Sequence, residues 1–317
     1  MAIEESKLFE KWNIHILNSV FIGLTCISIG LGVCMRYAEA QLSPRFIGLF
    51  HYGKLPFRAD TKYLSLLKVP KSWMCHFYTY GLILSWWSMY HVVLRLCLHK
   101  DLPEYMAMLF AYAVGGRRQQ VLIESTTCFI VITLMCLQCT RRCFETNCVQ
   151  ILSRKRQLNV LYYIIGYLHY FGILLIPMIN AEGFVEGSKP SSINLFNMPL
   201  GHYVCILMFL MCWWYQYRSN IMLVNFRKDY KTGKVKTEEY ILPRGGLFEY
   251  VSSPHMLCEV GMYIALLGFL YRLTTWWLVI LWVVSNQIYV SVSSHSWYKK
   301  TFVNYPKKRK AIFPMIL

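Results

Sequence analysis

Residues 14–34, IHILNSVFIGLTCISIGLGVC, decide the fold class. The run contains no Asp, Glu, Lys or Arg. At a rise of about 1.5 Å per residue, a helix of this length matches the roughly 30 Å hydrocarbon core of a bilayer. A cleaved secretory signal carries an apolar stretch of only about 7–15 residues behind a basic lead-in. Here Glu4, Glu5 and Glu10 come first, so the run reads as a retained anchor. The same scan predicts further spans at 73–98, 121–140, 158–179, 200–224, 254–271 and 274–292. The segment 103–115 is too short to cross and reads as interfacial or re-entrant. The expectation is an all-α integral membrane protein of seven transmembrane helices, forming one membrane-embedded domain over 1–317.

Composition agrees. Of the 317 residues, 56% are apolar and 16% aromatic, against roughly 45–50% apolar in soluble domains. The net charge of +17 is not a nucleic-acid footprint, because the basic residues stand in short groups between apolar spans. Their placement gives an orientation, since Lys and Arg accumulate on the cytoplasmic side. Of the 33, 24 fall after spans one, three, five and seven, seven fall on the other side, and Arg95 and Arg218 lie within spans. That predicts a lumenal N-terminus and a cytoplasmic C-terminus. The twelve cysteines are scattered through apolar sequence at spacings that match no common zinc pattern, so no metal site is expected.

Ionisable residues at membrane depth are costly, and each is a functional candidate. In 244–259, RGGLFEYVSSPHMLCE, Ser253 suits a helix cap and Pro254 a first helical position. His255 and Glu259, four apart, share a face. The free N–H groups of this helix start, beside the Gly245-Gly246 turn, suit an anionic phosphate. In SSHSWYKK, His295 and Tyr298 are three apart, and both residue types serve proton transfer. The lysines after them suit topology and anionic membrane lipids. In WWYQYRSNIMLVNFRK, Gln216 and Asn220 form a stripe that ends in Arg227; it suits a nicotinamide-to-phosphate ligand, or an ordinary polar exit from the bilayer. In VPKSWMCHFYTYG, His76, Tyr78 and Tyr80 enter span two from the cytoplasmic side. Glu124, His91, His169 and His202 read as structural. There is no Gly-rich dinucleotide fingerprint and no P-loop, so a nucleotide would be held against a helical bundle.

Together, LPRGGLFEYVSSPHMLCE and SSHSWYKKTFVNYPKKRKAIFP resemble the C-terminal signature of the steroid 5-alpha-reductase family. VPKSWMCHFY, RRCFE and FEYVSSPH resemble its polyprenol (polyprenal) reductase branch. The resemblance implies a multi-pass endoplasmic-reticulum enzyme that uses NADPH to reduce a carbon–carbon double bond conjugated to a carbonyl. For this branch that bond is in the alpha-isoprene unit of a long-chain polyprenyl lipid, on the route to dolichol and N-glycosylation. It implies a cofactor-binding part at 200–317, with Gln216, Asn220, Arg227, Tyr250, His255, Glu259, His295 and Tyr298 in or near the pocket. Where steroid-reducing members carry a substrate-facing glutamate and a catalytic tyrosine, this chain has Lys68 and Cys139. Hydride attack needs an electrophilic carbon, which an unsaturated aldehyde offers and an allylic alcohol does not, so polyprenal is the expected species. His76, Tyr78 and Tyr298 are the candidate donors, and Glu259 is expected to orient rather than protonate.

The alternatives are a 3-oxo-steroid 5-alpha-reductase, a membrane S-adenosylmethionine-dependent methyltransferase and a non-catalytic lipid-binding protein. SSPHM has Pro and His in the opposite order to the Arg-His-Pro of such methyltransferases. A seven-span receptor is disfavoured, because span three ends in Thr140-Arg141-Arg142 and span seven lacks Asn-Pro-x-x-Tyr.

Overall fold

A computed structural model describes residues 16–37, 67–114, 120–152, 157–229 and 231–317. Glu4, Glu5 and Glu10, with Ile14 and His15 of the first expected span, lie outside the described residues.

Eight α-helices organise the described chain: α1 Ile16–Tyr37, α2 Met74–Val92, α3 Glu104–Ala113, α4 Ser125–Phe144, α5 Val160–Ile179, α6 Leu200–Asn225, α7 Pro254–Leu270 and α8 Thr274–Thr301. Each expected span coincides with a helix, and the short segment 103–115 with α3. Among the described residues, four segments are long and apolar enough to cross a membrane by themselves: Ile16–Cys34, Ser125–Val149, Val160–Ile179 and Thr274–Thr301. α7 is a shorter apolar helix. Large apolar side chains such as Ile83, Leu207 and Leu281 stand exposed on helix surfaces. Patches of this kind on helices whose backbone bonds are satisfied internally suit hydrocarbon surroundings.

Helical backbone reaches Cys97, beside the expected end of span two at 98, but runs well past the expected end of span three at 140. Beyond Val92 and Phe144 the chain continues as single π-helical turns, Val93–Cys97 and Glu145–Val149, a feature frequent at functional sites. The α7 start also departs in detail. Pro254 is the first helical residue and Ser253 the cap position, but the Ser253 side chain makes no capping bond. Its backbone carbonyl instead accepts from Met256 and Leu257 N–H.

α6 packs chiefly on α7, α8 on α1, and α2 on α4 and α5. Close approach depends on glycine. A Cβ at Gly261 would stand 2.5 Å from Cys212 Sγ, and one at Gly268 closer still to Cys205 Sγ, so these two positions let α6 and α7 meet, as small residues do between membrane helices. Gly81 takes the ring of Tyr170 and Gly166 that of Phe77 in the same way. The expected structural histidines do bundle work: His91 bonds Tyr105 at 2.9 Å, and His169 bonds Tyr263 at 2.7 Å and Trp282 at 3.2 Å. His202 lies against the ring of Phe269.

At one end of the bundle, β1 Lys68–Pro70 and β2 Gln157–Asn159 pair antiparallel with Lys68 opposite Asn159, and lead towards α2 and α5. Asn159 also caps α5, accepting from Leu161 N–H at 2.8 Å. The C-terminal tail folds back to this end. Val251 and Lys310 form a parallel bridge. Arg309, 2% exposed, donates to Pro243 O at 3.0 Å and lies 3.9 Å from the Glu249 carboxylate.

Candidate active site

The cleft sits where α2 and α7 begin and where α4, α6 and α8 end, over about 200 Å³. Lys71, before α2, and Tyr78, one turn into it, line one wall. Arg142 from α4 and Asn220 and Arg227 from the end of α6 line the next. Tyr240, Ser252, Ser253 and His255 close a third, and Ser294 and Tyr298 of α8 complete it.

Beneath the cleft lies a buried polar network. Glu145, at the first position of the π turn and without accessible surface, accepts from Arg142 at 2.6 Å and from Asn220 Nδ2 at 2.9 Å. Arg141 Nε lies 3.4 Å from its other oxygen. Arg142 donates a second bond to Tyr78 Oη at 2.6 Å, with its guanidinium carbon 4.7 Å from the ring centroid. Because the guanidinium has no acceptor, Tyr78 must be the acceptor in that bond, and its own proton is left for another partner. The second layer is built on Gln216, 2% exposed. Its amide donates to His255 O at 3.0 Å and to Glu259, and its carbonyl accepts from Arg141 and from Gln138 at 3.1 Å. Removing a partner from such a network leaves a buried charge unpaired.

Behind the α7 start, Ser252 Oγ lies 2.7 Å from His295 Nδ1 and 2.5 Å from Tyr305 Oη, and donates to Lys310 O at 3.0 Å. Burial raises the Tyr305 phenol above its usual range, opposed by the Ser252 bond. Burial lowers the Arg309 guanidinium, opposed by Tyr305 and Glu249.

Of the residues anticipated from sequence, Tyr78, Asn220, Arg227, His255 and Tyr298 line the cleft together. Gln216, Glu259 and His295 stand one layer behind. His76 does not join them: its Nδ1 pairs with Tyr163 Oη at 3.1 Å on an exposed face. Residues two apart on a helix point about 200° apart, so His76 and Tyr78 cannot serve one cleft. The Tyr250 side chain is 66% exposed and also lies outside the lining. Lys68 and buried Cys139 are likewise outside it; burial lowers the Lys68 ammonium.

The glycine turn precedes the start of α7. Gly245 and Gly246 adopt φ of 86° and 54°, the left-handed region that favours glycine. The Gly245 N–H, however, donates to Glu249 Oε1 at 2.5 Å and is not available to an anion. The start of α7 does face the cleft.

Lys71, Tyr240, Arg142 and Glu145 were not anticipated. For the last two a signal existed: at the end of a helix, Arg142 and Arg141 stand three and four residues before Glu145, the spacing of side-chain ion pairs. Among the described residues no group of three or more His, Cys, Asp or Glu could hold a metal.

Residues 182–317 match the family described as 3-oxo-5-alpha-steroid 4-dehydrogenase. Over the whole chain, the polyprenal reductase of Drosophila melanogaster is 41% identical across 312 residues, covering 98% of this chain and 96% of that protein. Those of Homo sapiens and Caenorhabditis elegans are 29% identical over 311 residues and 27% over 315. They cover 95% and 96% of this chain, and 95% and 98% of their own lengths. End-to-end likeness at this level, joined to the family match over α6 to the C-terminus, places the chain in the steroid 5-alpha-reductase family, an oxidoreductase family, in the branch whose curated members are named polyprenal reductase.

Proposed function

We propose that this chain is an NADPH-dependent polyprenal reductase of the endoplasmic-reticulum membrane, saturating the alpha-isoprene double bond of a long-chain polyprenal on the route to dolichol. The observation that carries the reading is one cleft of cofactor-type polar groups and a tyrosine hydroxyl, in a chain that matches polyprenal reductases along its whole length. The membrane reading extends to seven crossings by α1, α2 and α4 to α8, with a lumenal N-terminus and a cytoplasmic C-terminus. The cleft then opens to the cytoplasm within a single domain whose part at 200–317 supplies most of the cofactor contacts.

The donor set fits a dinucleotide. Lys71, Arg142 and Arg227 supply positive charge, and Asn220 and Ser294 supply neutral hydrogen bonds. The first N–H groups of α7 carry the positive end of a helix dipole beside Ser253. Asn220, Arg227 and His255 would hold the cofactor, and bound NADPH would supply the hydride equivalent for reduction of the double bond that the aldehyde activates. Gln216 fixes the α7 backbone under it through His255 O, and Glu259 holds Gln216.

Tyr78 is the residue assigned to the carbonyl oxygen. Arg142 occupies one lone pair of its hydroxyl, which directs the phenolic proton away from the guanidinium. A donor held in this way stabilises the oxygen on which negative charge develops in a conjugate reduction. Glu145 fixes Arg142 and Asn220 with the same oxygen, so the acid and an amide of the cofactor pocket are positioned by one carboxylate.

The family description 3-oxo-5-alpha-steroid 4-dehydrogenase favours a second reading, a steroid substrate. Purified full chain in lipid nanodiscs with NADPH and either polyprenal, polyprenol or a 3-oxo-steroid separates them by product mass. Saturated product from polyprenal supports the proposal, reduction of the steroid alone replaces it with the second reading, and no saturated product from any substrate removes both.

A further inference from the structure

We infer that Lys71, acting with Tyr240, selects a cofactor bearing a phosphate monoester on its adenosine ribose over one without it. The inference rests on the nicotinamide reading of the cleft.

The cleft has two chemically different ends. At one, Arg142 is committed to Glu145 and Tyr78, which suits the reacting end and its developing oxyanion. At the other, Lys71 Nζ lies 2.9 Å from Tyr240 Oη, and the guanidinium carbon of Arg227 lies 5.4 Å from the centroid of the same ring. Tyr240 is therefore flanked by two cations, one on its hydroxyl and one on its face, and all three groups line the cleft. Arg227 is 8% exposed and fixed by a 2.7 Å bond to Glu238 O. Tyr240 is braced by Trp297, ring to ring at 5.8 Å. The start of α7 faces the same cleft through Ser253 and His255, and its partial charge suits a pyrophosphate diester. A phosphate monoester carries about −1.5 to −2 charge near neutral pH. That is the group for which a lysine, an arginine and a phenol hydroxyl around one point are suited.

Lys71 has a separate origin in the chain. It precedes α2 and lies outside the family match at 182–317, whereas Arg227 and Tyr240 lie within it. The β1–β2 pairing holds Lys68–Pro70, and the next residue lines a pocket built largely by the C-terminal helices. Phosphate selection in this chain is thus completed by an element from its N-terminal half.

The test is equilibrium binding to the full chain in nanodiscs, by calorimetry, of NADPH, NADH, 2′,5′-ADP and 5′-AMP. Wild-type protein is expected to favour NADPH over NADH and 2′,5′-ADP over 5′-AMP. Lys71→Ala is expected to weaken the two phosphate-bearing ligands by about 10-fold or more, as for loss of a charge-assisted hydrogen bond, and to leave NADH and 5′-AMP within about twofold. Lys71→Arg is expected to recover most of the preference. Equal loss for both members of each pair, or no loss for either, would overturn the role of Lys71 while leaving the nicotinamide reading intact. Failure of the folded wild-type protein to bind any of the dinucleotides would overturn that reading and the inference with it.

Discussion

Tyr78→Phe removes one oxygen from the cleft and leaves the ring packed beside Phe77, 4.6 Å centroid to centroid. Two effects follow, and they differ in size. The Arg142 guanidinium loses one acceptor but keeps Glu145 at 2.6 Å, so the cost to stability is set by one hydrogen bond, about 1–2 kcal/mol. The reaction loses its donor at the carbonyl oxygen, which by comparison with other oxyanion donors costs about 10²–10³ in kcat, or roughly 2.7–4 kcal/mol. Because the donor acts on charge that develops only in the transition state, KM for polyprenal is expected to change by less than about threefold. The assay is turnover of purified enzyme in nanodiscs with saturating NADPH, following saturated product by mass, with thermal unfolding measured on the same samples. His76→Ala is the matched control, since His76 faces Tyr163 outside the cleft; its kcat is expected within about twofold of wild type. A Tyr78→Phe enzyme within about threefold of wild-type kcat, or a His76→Ala enzyme more impaired than Tyr78→Phe, would refute the assignment.

Other perturbations test the supports of the site. Glu145→Ala leaves Arg141 and Arg142 without their shared carboxylate, and by analogy with broken buried pairs it is expected to cost about 3–5 kcal/mol, read as loss of folded protein on heating in detergent. Glu259→Gln keeps an acceptor for Gln216 but removes the charge; NADPH affinity is expected to fall about tenfold with membrane insertion unchanged, and wild-type affinity and turnover would sink the role given to Glu259. Gly261→Val forces a side chain onto Cys212, and overpacking at this contact is expected to destabilise by about 1–3 kcal/mol, with Gly261→Val/Cys212→Ala recovering part of the melting temperature. Arg309→Ala releases the tail from Pro243 and Glu249, and limited proteolysis is expected to cut the 302–317 tail sooner than in wild type; equal cleavage rates would show that Arg309 is not its anchor.

The helical class was legible because length and apolarity are properties of single segments: 14–34 and 274–292 each declare a membrane helix without reference to the rest of the chain. Half of the cleft was legible for the same reason, since Asn220, Arg227, His255 and Tyr298 stand at the polar ends of apolar helices. The other half was not. Lys71 reaches Tyr240 across 169 positions and Arg142 reaches Tyr78 across 64, and no local pattern encodes such pairings. Periodicity could have excluded His76 in favour of Tyr78, because it fixes which side of α2 each residue faces. The Gly245-Gly246 turn and the helix start after Ser253 were legible from local residue types, but the bond from the Gly245 N–H to Glu249, four residues on, was not. The π turn at Glu145–Val149 carries no distinctive composition, although it separates the buried Glu145 from the cleft-lining Gln150–Leu152.

The most direct test of the central claim is the fate of a labelled hydrogen. NADPH carrying deuterium at the transferred position of the nicotinamide is supplied with polyprenal to the purified chain, and the product is analysed by mass spectrometry and NMR. The account predicts deuterium at the beta carbon, solvent hydrogen at the alpha carbon and an aldehyde left in place. Deuterium on the carbonyl carbon with the double bond intact, or no transfer from NADPH at all, would contradict it.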